Sequence, residues 1–228
     1  MMSRDTHARN QLCRWAEILV KRGISTPETG CLSLRVGERM VISPEEIPLS
    51  GLAPDDAAIV LLKSCTPISG RRPDHRFPLH AAVYRKRNDF SALLHTDSLS
   101  VMTASRAGKT VPPLLDDMAQ IIGVTVNVAE NRPYQGGRPV IAALKRRNAV
   151  LLEQAGALCG AGSVEDAVAV AQVLEKGCKA FIESHFMGGG IVINRFEALL
   201  MRWMYLFRYS KKNARNRYKH QRIQTGPR

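Results

Sequence analysis

An apolar segment that runs into a strongly signalled helix constrains the fold of this chain most. Residues 148–162, NAVLLEQAGALCGAG, predict a buried strand that leads into a turn of small residues. Ser163 follows, and its hydroxyl is suited to cap a helix over about 164–184. Glu165 and Asp166 lie in the first turn, where the helix dipole favours negative charge. The sequence therefore predicts a buried strand followed by a long helix.

Shorter patterns predict the remaining elements. Apolar residues recur at helical spacing near the N-terminus, and short extended runs flank the pair Gly37-Glu38, which suits a tight hairpin turn. A buried strand over 90–97 ends in polar residues, which is a usual place for a site. The other predicted elements are a helix over 8–22, strands over 31–36, 39–43 and 58–64, a helix over 79–87, a short helix and strand within 118–130, a helix over 139–147 and a last apolar segment over 191–207.

Composition indicates an ordinary soluble protein. The 228 residues are 45% hydrophobic and 23% charged, which fits one medium domain with a buried core. No apolar run is long enough to span a membrane and the first residues show no signal pattern, so we expect a cytoplasmic protein. The five cysteines are scattered and form no C-x-x-C pair, which favours neither a disulfide framework nor a zinc ribbon.

Positive charge is concentrated at the C-terminus. The formal net charge is +13, and eight basic residues with no acidic residue lie from Arg208 onward. We therefore expect one folded domain over 1–207 and a basic tail over 208–228. Such a tail could bind an anionic partner, for example nucleic acid, through phosphate contacts, or it could be a solvated end of the chain.

Four stretches together resemble the class II aldolase/adducin family. TGCLSLRV (29–36) is similar to the family's T-G-N-[IL]-S-x-R, and MVISPEEIPLSGLAPDD (40–56) to its I-T-P-[ST]-G-x-x-x-x-x-L-x-x-x-D. Residues 72–98 resemble its P-S-x-E-x-x-x-H segment, which ends in H-x-H-S. Residues 148–175 resemble its A-[IV]-L-L-x-x-H-G segment and the helix after it. The order and spacing of these motifs carry the resemblance.

The resemblance implies a three-layer α/β/α domain with a central, mainly antiparallel sheet. It also implies a homo-oligomer, commonly a tetramer with sites between subunits. Active members of the family use zinc held by three histidines to stabilise an enediolate, and a glutamate that handles the proton. Any activity would be that of a carbon–carbon lyase of the aldehyde-lyase type.

The metal-ligand positions of the family are only partly retained. The first histidine corresponds to His95, but the second position is Asp97 and the distant third position is Ala155, which offers no ligand atom. His95 and Asp97 could hold a weak divalent ion with His80 or His75 as a third ligand, because a carboxylate can replace an imidazole. The alternative is that these side chains are only hydrogen-bonded, with no cofactor.

The family's glutamate position corresponds to Arg76. An arginine cannot take up a proton at neutral pH, so enediolate formation would lack its base. Asp74 lies two residues earlier and is a candidate substitute after a shift of the loop.

The phosphate-binding positions are also changed. The family's [ST]-G corresponds to the two glutamates at 45–46, which would repel a phosphate. Arg71 and Arg72 make the neighbouring loop basic, so a different anionic ligand such as a carboxylate remains open. Ser33 matches the family and is a candidate substrate contact or a support for the turn.

Three hypotheses follow. The first is a catalytically degenerate family member that persists as a scaffold or assembly unit, as the head domain of adducin does. The second is an altered metal-dependent lyase, an aldolase or a decarboxylase, acting on a non-phosphorylated anionic substrate. The third is a nucleic-acid or anionic-surface binder that acts through the basic tail.

Overall fold

The structure is a computed structural model, and it describes residues 3–130 and 137–208. Within these residues, eight strands form one sheet in the order β4-β3-β2-β1-β5-β8-β7-β6. Neighbouring strands are antiparallel except for the parallel pair β6 and β7. The strands are β1 (Cys31–Val36), β2 (Arg39–Ile42), β3 (Ala58–Leu61), β4 (Thr66–Ser69), β5 (Ala92–Thr96), β6 (Val128–Ala129), β7 (Ala149–Leu152) and β8 (Ala157–Ala161).

Helices cover both faces of the sheet. One hydrophobic cluster joins α1, α3 and α5 to the first face, and a second cluster joins α2 and α4 to the other face. This arrangement confirms the predicted three-layer α/β/α fold with a mainly antiparallel sheet. The helices are α1 (Arg4–Lys21), α2 (Phe77–Lys86), α3 (Leu99–Ala107), α4 (Arg138–Ala143), α5 (Val164–Phe186) and α6 (195–208), with a 3₁₀ turn at Pro54–Asp56 and a π turn at Met118–Ile122.

Local sequence signals place several of these elements. The hairpin predicted at Gly37-Glu38 is confirmed, because Val36 pairs with Arg39 across the turn. The predicted cap is also confirmed, since the Ser163 hydroxyl accepts a hydrogen bond of 3.1 Å from the backbone N–H of Asp166. Edge strand β4 was not predicted.

The single strand predicted over 148–162 is wrong, because these residues form a hairpin of the two antiparallel strands β7 and β8. Other boundaries differ from those predicted by a few residues. Helix α2 begins at Phe77, where the following Pro78 suits a first helical turn, and not at residue 79. The last apolar segment, predicted over 191–207, forms a helix over 195–208. The tail was expected over 208–228; residue 208 ends helix α6, and residues 209–228 lie outside the described residues. Across residues 3–130 and 137–208, no helix combines the length and apolar character that crossing a bilayer requires.

Candidate functional site

The candidate site lies between β1, β5 and helix α2. Cys31 on β1 lies opposite His95 on β5 in the antiparallel register. Because side chains alternate along a strand, Cys31, Ser33 and His95 all face the same side of the sheet. Helix α2 covers that side with His80 and Tyr84, which are fully buried. Two histidines from distant parts of the chain are thereby brought together.

The two histidine rings are stacked inside the protein. The centroids of His80 and His95 are 5.0 Å apart, and the ring planes differ by 11°. His80 Nδ1 lies 2.7 Å from the hydroxyl oxygen of Ser33, which is itself 2.9 Å from the hydroxyl of Tyr84. Burial lowers the pKa of His80 to about 3, and burial together with the charge of Arg76 lowers the pKa of His95 well below its ordinary value. Both rings are therefore neutral at physiological pH.

One atom of this cluster has no partner. His95 Nε2 is buried and makes no hydrogen bond to any described residue. Cys31 Sγ lies 3.9 Å from His80 Nε2, and burial raises the pKa of the Cys31 thiol to about 12. The thiol is thus protonated and is a poor nucleophile. His95 Nε2 is therefore a buried ring nitrogen that no described residue engages and that a ligand could use.

Arg76 and Asp74 neutralise each other beside the histidines. The guanidinium donates to both carboxylate oxygens of Asp74, with Nε to Oδ1 at 2.8 Å and Nη2 to Oδ2 at 2.6 Å. The backbone N–H of Arg76 donates to Oδ1 as well, at 2.8 Å. Burial by itself would raise the pKa of Asp74, but the hydrogen bonds and charge of Arg76 lower it below its ordinary value. Arg76 also donates to the backbone carbonyl of Thr29 at 2.8 Å, so this pair fastens the loop before β1 to the loop before α2.

Asp97 is engaged by the loop that precedes β1. Its Oδ1 accepts a hydrogen bond of 2.8 Å from the backbone N–H of Thr26. Its Oδ2 accepts hydrogen bonds from the hydroxyls of Thr26 and Thr29. Strand β5 ends at Thr96, so Asp97 lies directly after the strand. Both carboxylate oxygens hold the loop in place.

The side chains present do not make a three-ligand zinc site. A catalytic zinc requires about three protein ligands and an open position. His95 offers one nitrogen, the oxygens of Asp97 are engaged, and Ala155 offers none. Within the described parts of the chain, no three His, Cys, Asp or Glu side chains converge closely enough to hold a metal ion. His75, the other suggested ligand, is exposed and lies 3.6 Å from Glu45.

The basic residues of the neighbouring loop are also paired. Arg71 Nε lies 2.6 Å from Asp56, and Arg72 Nε lies 3.0 Å from Glu45. The hydrogen bond to Asp56, with a smaller contribution from the charge of the exposed Glu46, raises the pKa of Arg71. A free anion would have to compete with these carboxylates. Ser33 is completely buried under His80, where it supports the ring.

Sequence reasoning missed the contacts that define this site. The stacking of His80 on His95 depends on how α2 packs against β5, and the engagement of Asp97 depends on a loop about 70 residues away. Only the Asp74 and Arg76 pair had a local signal, since opposite charges two residues apart stand in one turn.

Known proteins that resemble this chain share its fold over most of its length. The sequence profile of the class II aldolase and adducin N-terminal domain matches residues 10–182. A 3-oxo-tetronate 4-phosphate decarboxylase of Cupriavidus necator is 27% identical over 191 residues, which are 79% of this chain and 86% of that protein. A 3,4-dihydroxyphthalate decarboxylase of Arthrobacter keyseri is 28% identical over 190 residues, covering 72% of this chain and 73% of that protein.

Solved structures give the same result for the fold. An L-fuculose 1-phosphate aldolase superimposes with a TM-score of 0.83 at 22% identity, covering 90% of this chain and 98% of that one. The order of strands and helices, the spacing of the motifs and the match of the family profile therefore lead to one conclusion. This chain belongs to the class II aldolase and adducin family.

Proposed function

We propose that this chain is a catalytically degenerate class II aldolase homologue that serves as a scaffold or assembly unit. The observation that carries this proposal is the engagement of the groups at the family's chemical positions. Asp97 holds the Thr26–Thr29 loop, and Arg76 is bound to Asp74. These groups stabilise the folded chain and have little remaining capacity to act on a substrate.

The proton-transfer step is the most difficult to supply. Arg76 stays charged at neutral pH and cannot act as the base. Asp74 is the nearest described carboxylate, but it accepts three hydrogen bonds from Arg76 and its pKa is lowered. A carboxylate held in that way is a weak base. The stacked histidines are neutral, and neither ring makes a hydrogen bond to a described carboxylate that would orient it.

An assembly role is supported by the outer face of α6. Four apolar residues recur there at helical spacing and are each at least 46% exposed, namely Phe196, Leu200, Met204 and Phe207. Exposed apolar side chains in such a row commonly mark a protein interface. We therefore propose a homo-oligomer, a tetramer by resemblance to the family, in which this face meets another copy.

The second candidate function is an altered lyase. It is favoured by His95 Nε2, which is buried without a partner among the described residues and is thus available to a weakly held divalent metal or a substrate. The substrate would be a non-phosphorylated anion, because Glu45 and Glu46 disfavour a phosphate. The relative named for 3,4-dihydroxyphthalate, a substrate without phosphate, is consistent with that class.

Two further expectations stay predictions. The basic tail is proposed to bind an anionic partner, and residues 209–228 of this tail are outside the described residues. A single domain over 1–207 and a cytoplasmic location are proposed on the sequence patterns alone.

Activity assays with matched variants test the proposal. The full chain is incubated with 3-oxo-tetronate 4-phosphate, 3,4-dihydroxyphthalate or L-fuculose 1-phosphate, with zinc or manganese added, and products are followed by mass spectrometry. We expect no turnover above the protein-free background. Turnover that disappears in His95→Ala and persists in the exposed control His7→Ala would establish the altered lyase instead.

A further inference from the structure

A large cleft lies at the end of the sheet opposite the histidines. Its volume is about 2070 Å³, and its floor includes Phe90 and Ser91, which precede β5. His95 is near the other end of β5, roughly 15 Å away at about 3.3 Å per residue. One face of helix α6 forms a wall of the cleft. The cleft is therefore separate from the candidate site.

Six of the residues that line this cleft are cationic and two are acidic. Lys145, Arg146 and Arg195 are exposed and make no side-chain hydrogen bond or ion pair with a described residue. Arg147 is partly buried, and burial together with the charge of Arg195 lowers its pKa. Asp89 and Asp166 also line the cleft, but the cations outnumber them and raise the local positive potential. Such an arrangement favours an anionic ligand.

A buried arginine stands at the root of the same cleft. Arg202 on α6 is 8% exposed and donates to the backbone carbonyls of Gln120 and Ile121, both at 2.7 Å. Its Nε has no hydrogen-bond partner among the described residues. Burial lowers the pKa of Arg202 to about 10. The charge of Asp89 acts on Arg202, but no described carboxylate forms an ion pair with it, so a bound anion would offset part of the cost of its burial.

The size and aromatic lining narrow the class of ligand. Small-molecule pockets are commonly about 300–1,000 Å³, so this cleft is large enough for a segment of a chain. Trp203 lines the cleft, is 63% exposed and stacks on Phe207 with ring centroids 5.7 Å apart. An exposed indole beside several cations suits unpaired bases and their phosphates.

We propose that this cleft binds single-stranded nucleic acid. The phosphates lie along Lys145, Arg146 and Arg195, and a base stacks on Trp203. The cleft and the outer face of α6 proposed above for assembly adjoin each other, because Trp203 lines the cleft and stacks on Phe207 of that face. The proposal concerns the folded domain and is independent of both the basic tail and the catalytic state of the histidine site.

Charge-neutralising variants of the full chain provide the first test. Binding of a fluorescein-labelled 20-nucleotide single-stranded RNA is measured by anisotropy between 0.05 and 0.3 M salt. Neutralising three phosphate contacts with Lys145→Gln, Arg146→Gln and Arg195→Gln reduces the salt slope by about 2 and weakens binding at 0.1 M salt about 100-fold. The control Arg14→Gln, Arg22→Gln, Lys63→Gln makes the same charge change on other, exposed surfaces and leaves the slope unchanged.

The second test distinguishes the cleft from the basic tail. We expect the bound RNA to quench the fluorescence of Trp203. The variant Trp203→Ala retains the signal of Trp15, loses this quenching and binds the RNA about tenfold more weakly. If the triple variant in the cleft and the control triple variant lost RNA affinity equally, the effect would be one of net charge and the proposal would be overturned. Binding without quenching, or no binding by the full chain, would also overturn it. The proposal would also be overturned if light scattering showed that Trp203→Ala breaks up an oligomer while its RNA affinity stays unchanged.

Discussion

The buried histidines make the stability of this protein sensitive to mild acid. His80 is fully buried, and its pKa is about 3 in the folded chain against an ordinary value near 6.5. Between pH 6.5 and about pH 3, this ring is protonated in the unfolded chain and neutral in the folded chain. Stability is therefore complete above pH 6.5 and falls as the pH decreases towards 3. His95 acts in the same direction because its pKa is also lowered.

The size of this effect follows from the pKa values. Each pH unit between the two values costs about 1.4 kcal/mol per histidine, so His80 alone costs roughly 2 kcal/mol at pH 5 relative to pH 8. Asp74 contributes little to the pH dependence between pH 5 and pH 8, because the unfolded chain takes up a proton on it only near its ordinary pKa of 3.8. The two effects can therefore be measured separately.

Urea unfolding at several pH values, in a chelating buffer, measures the effect. The His80→Gln variant keeps a hydrogen-bonding group near Ser33, and we expect its free energy of unfolding to depend on pH less steeply by about 1.4 kcal/mol per unit near pH 5. The control His7→Gln replaces an exposed ring and retains the original slope. If His80→Gln also retained that slope, the ring could not be buried and neutral, and the reasoning would be refuted.

Three other substitutions test the contacts around the site and the fold. Asp74→Asn leaves Arg76 largely buried without its carboxylate, and we expect urea unfolding to show a free energy of unfolding lower by roughly 2–4 kcal/mol. A loss no larger than that of an exposed ion pair, about 1 kcal/mol or less, would contradict the description of a buried pair. Asp97→His combined with Ala155→His completes a three-histidine set with the retained histidine, and we expect it to retain about one zinc per chain by elemental analysis while neither single variant does. Ser163→Ala removes the cap of α5 and should cost about 1 kcal/mol, seen as a lower Tm; an unchanged Tm would show that the cap is dispensable.

Local signals explain which parts of the fold could be predicted from the sequence. The Ser163 cap and the Gly37-Glu38 hairpin depend on neighbouring residues, and both are confirmed. Strand β4 (Thr66–Ser69) is exposed along its length and contains Pro67, so it lacks the apolar alternation that identifies a strand. Its pairing with β3 is what makes it a strand.

The site was harder to predict because its contacts are distant in sequence. An H-x-D pattern suggested two ligands on one face of a strand, but β5 ends one residue before Asp97. The Asp97 carboxylate instead accepts a hydrogen bond from Thr26, which lies 71 residues earlier in a loop and cannot be identified from sequence spacing. The stacked pair His80 and His95 likewise depends on packing between helix and sheet. The roles predicted for these residues as metal ligands, and for Arg71 and Arg72 in binding a substrate, stay predictions.

Metal content tests the central claim most directly. The chain is purified from cells grown with added zinc, manganese and iron, and each metal is counted per chain before and after mild chelation, with His95→Ala as the matched variant. The proposal of a degenerate site predicts far less than one atom of metal per chain and no difference between the parent and His95→Ala. About one tightly held metal per chain that is lost in His95→Ala would contradict it, because it would show that a working metal centre survives around this histidine.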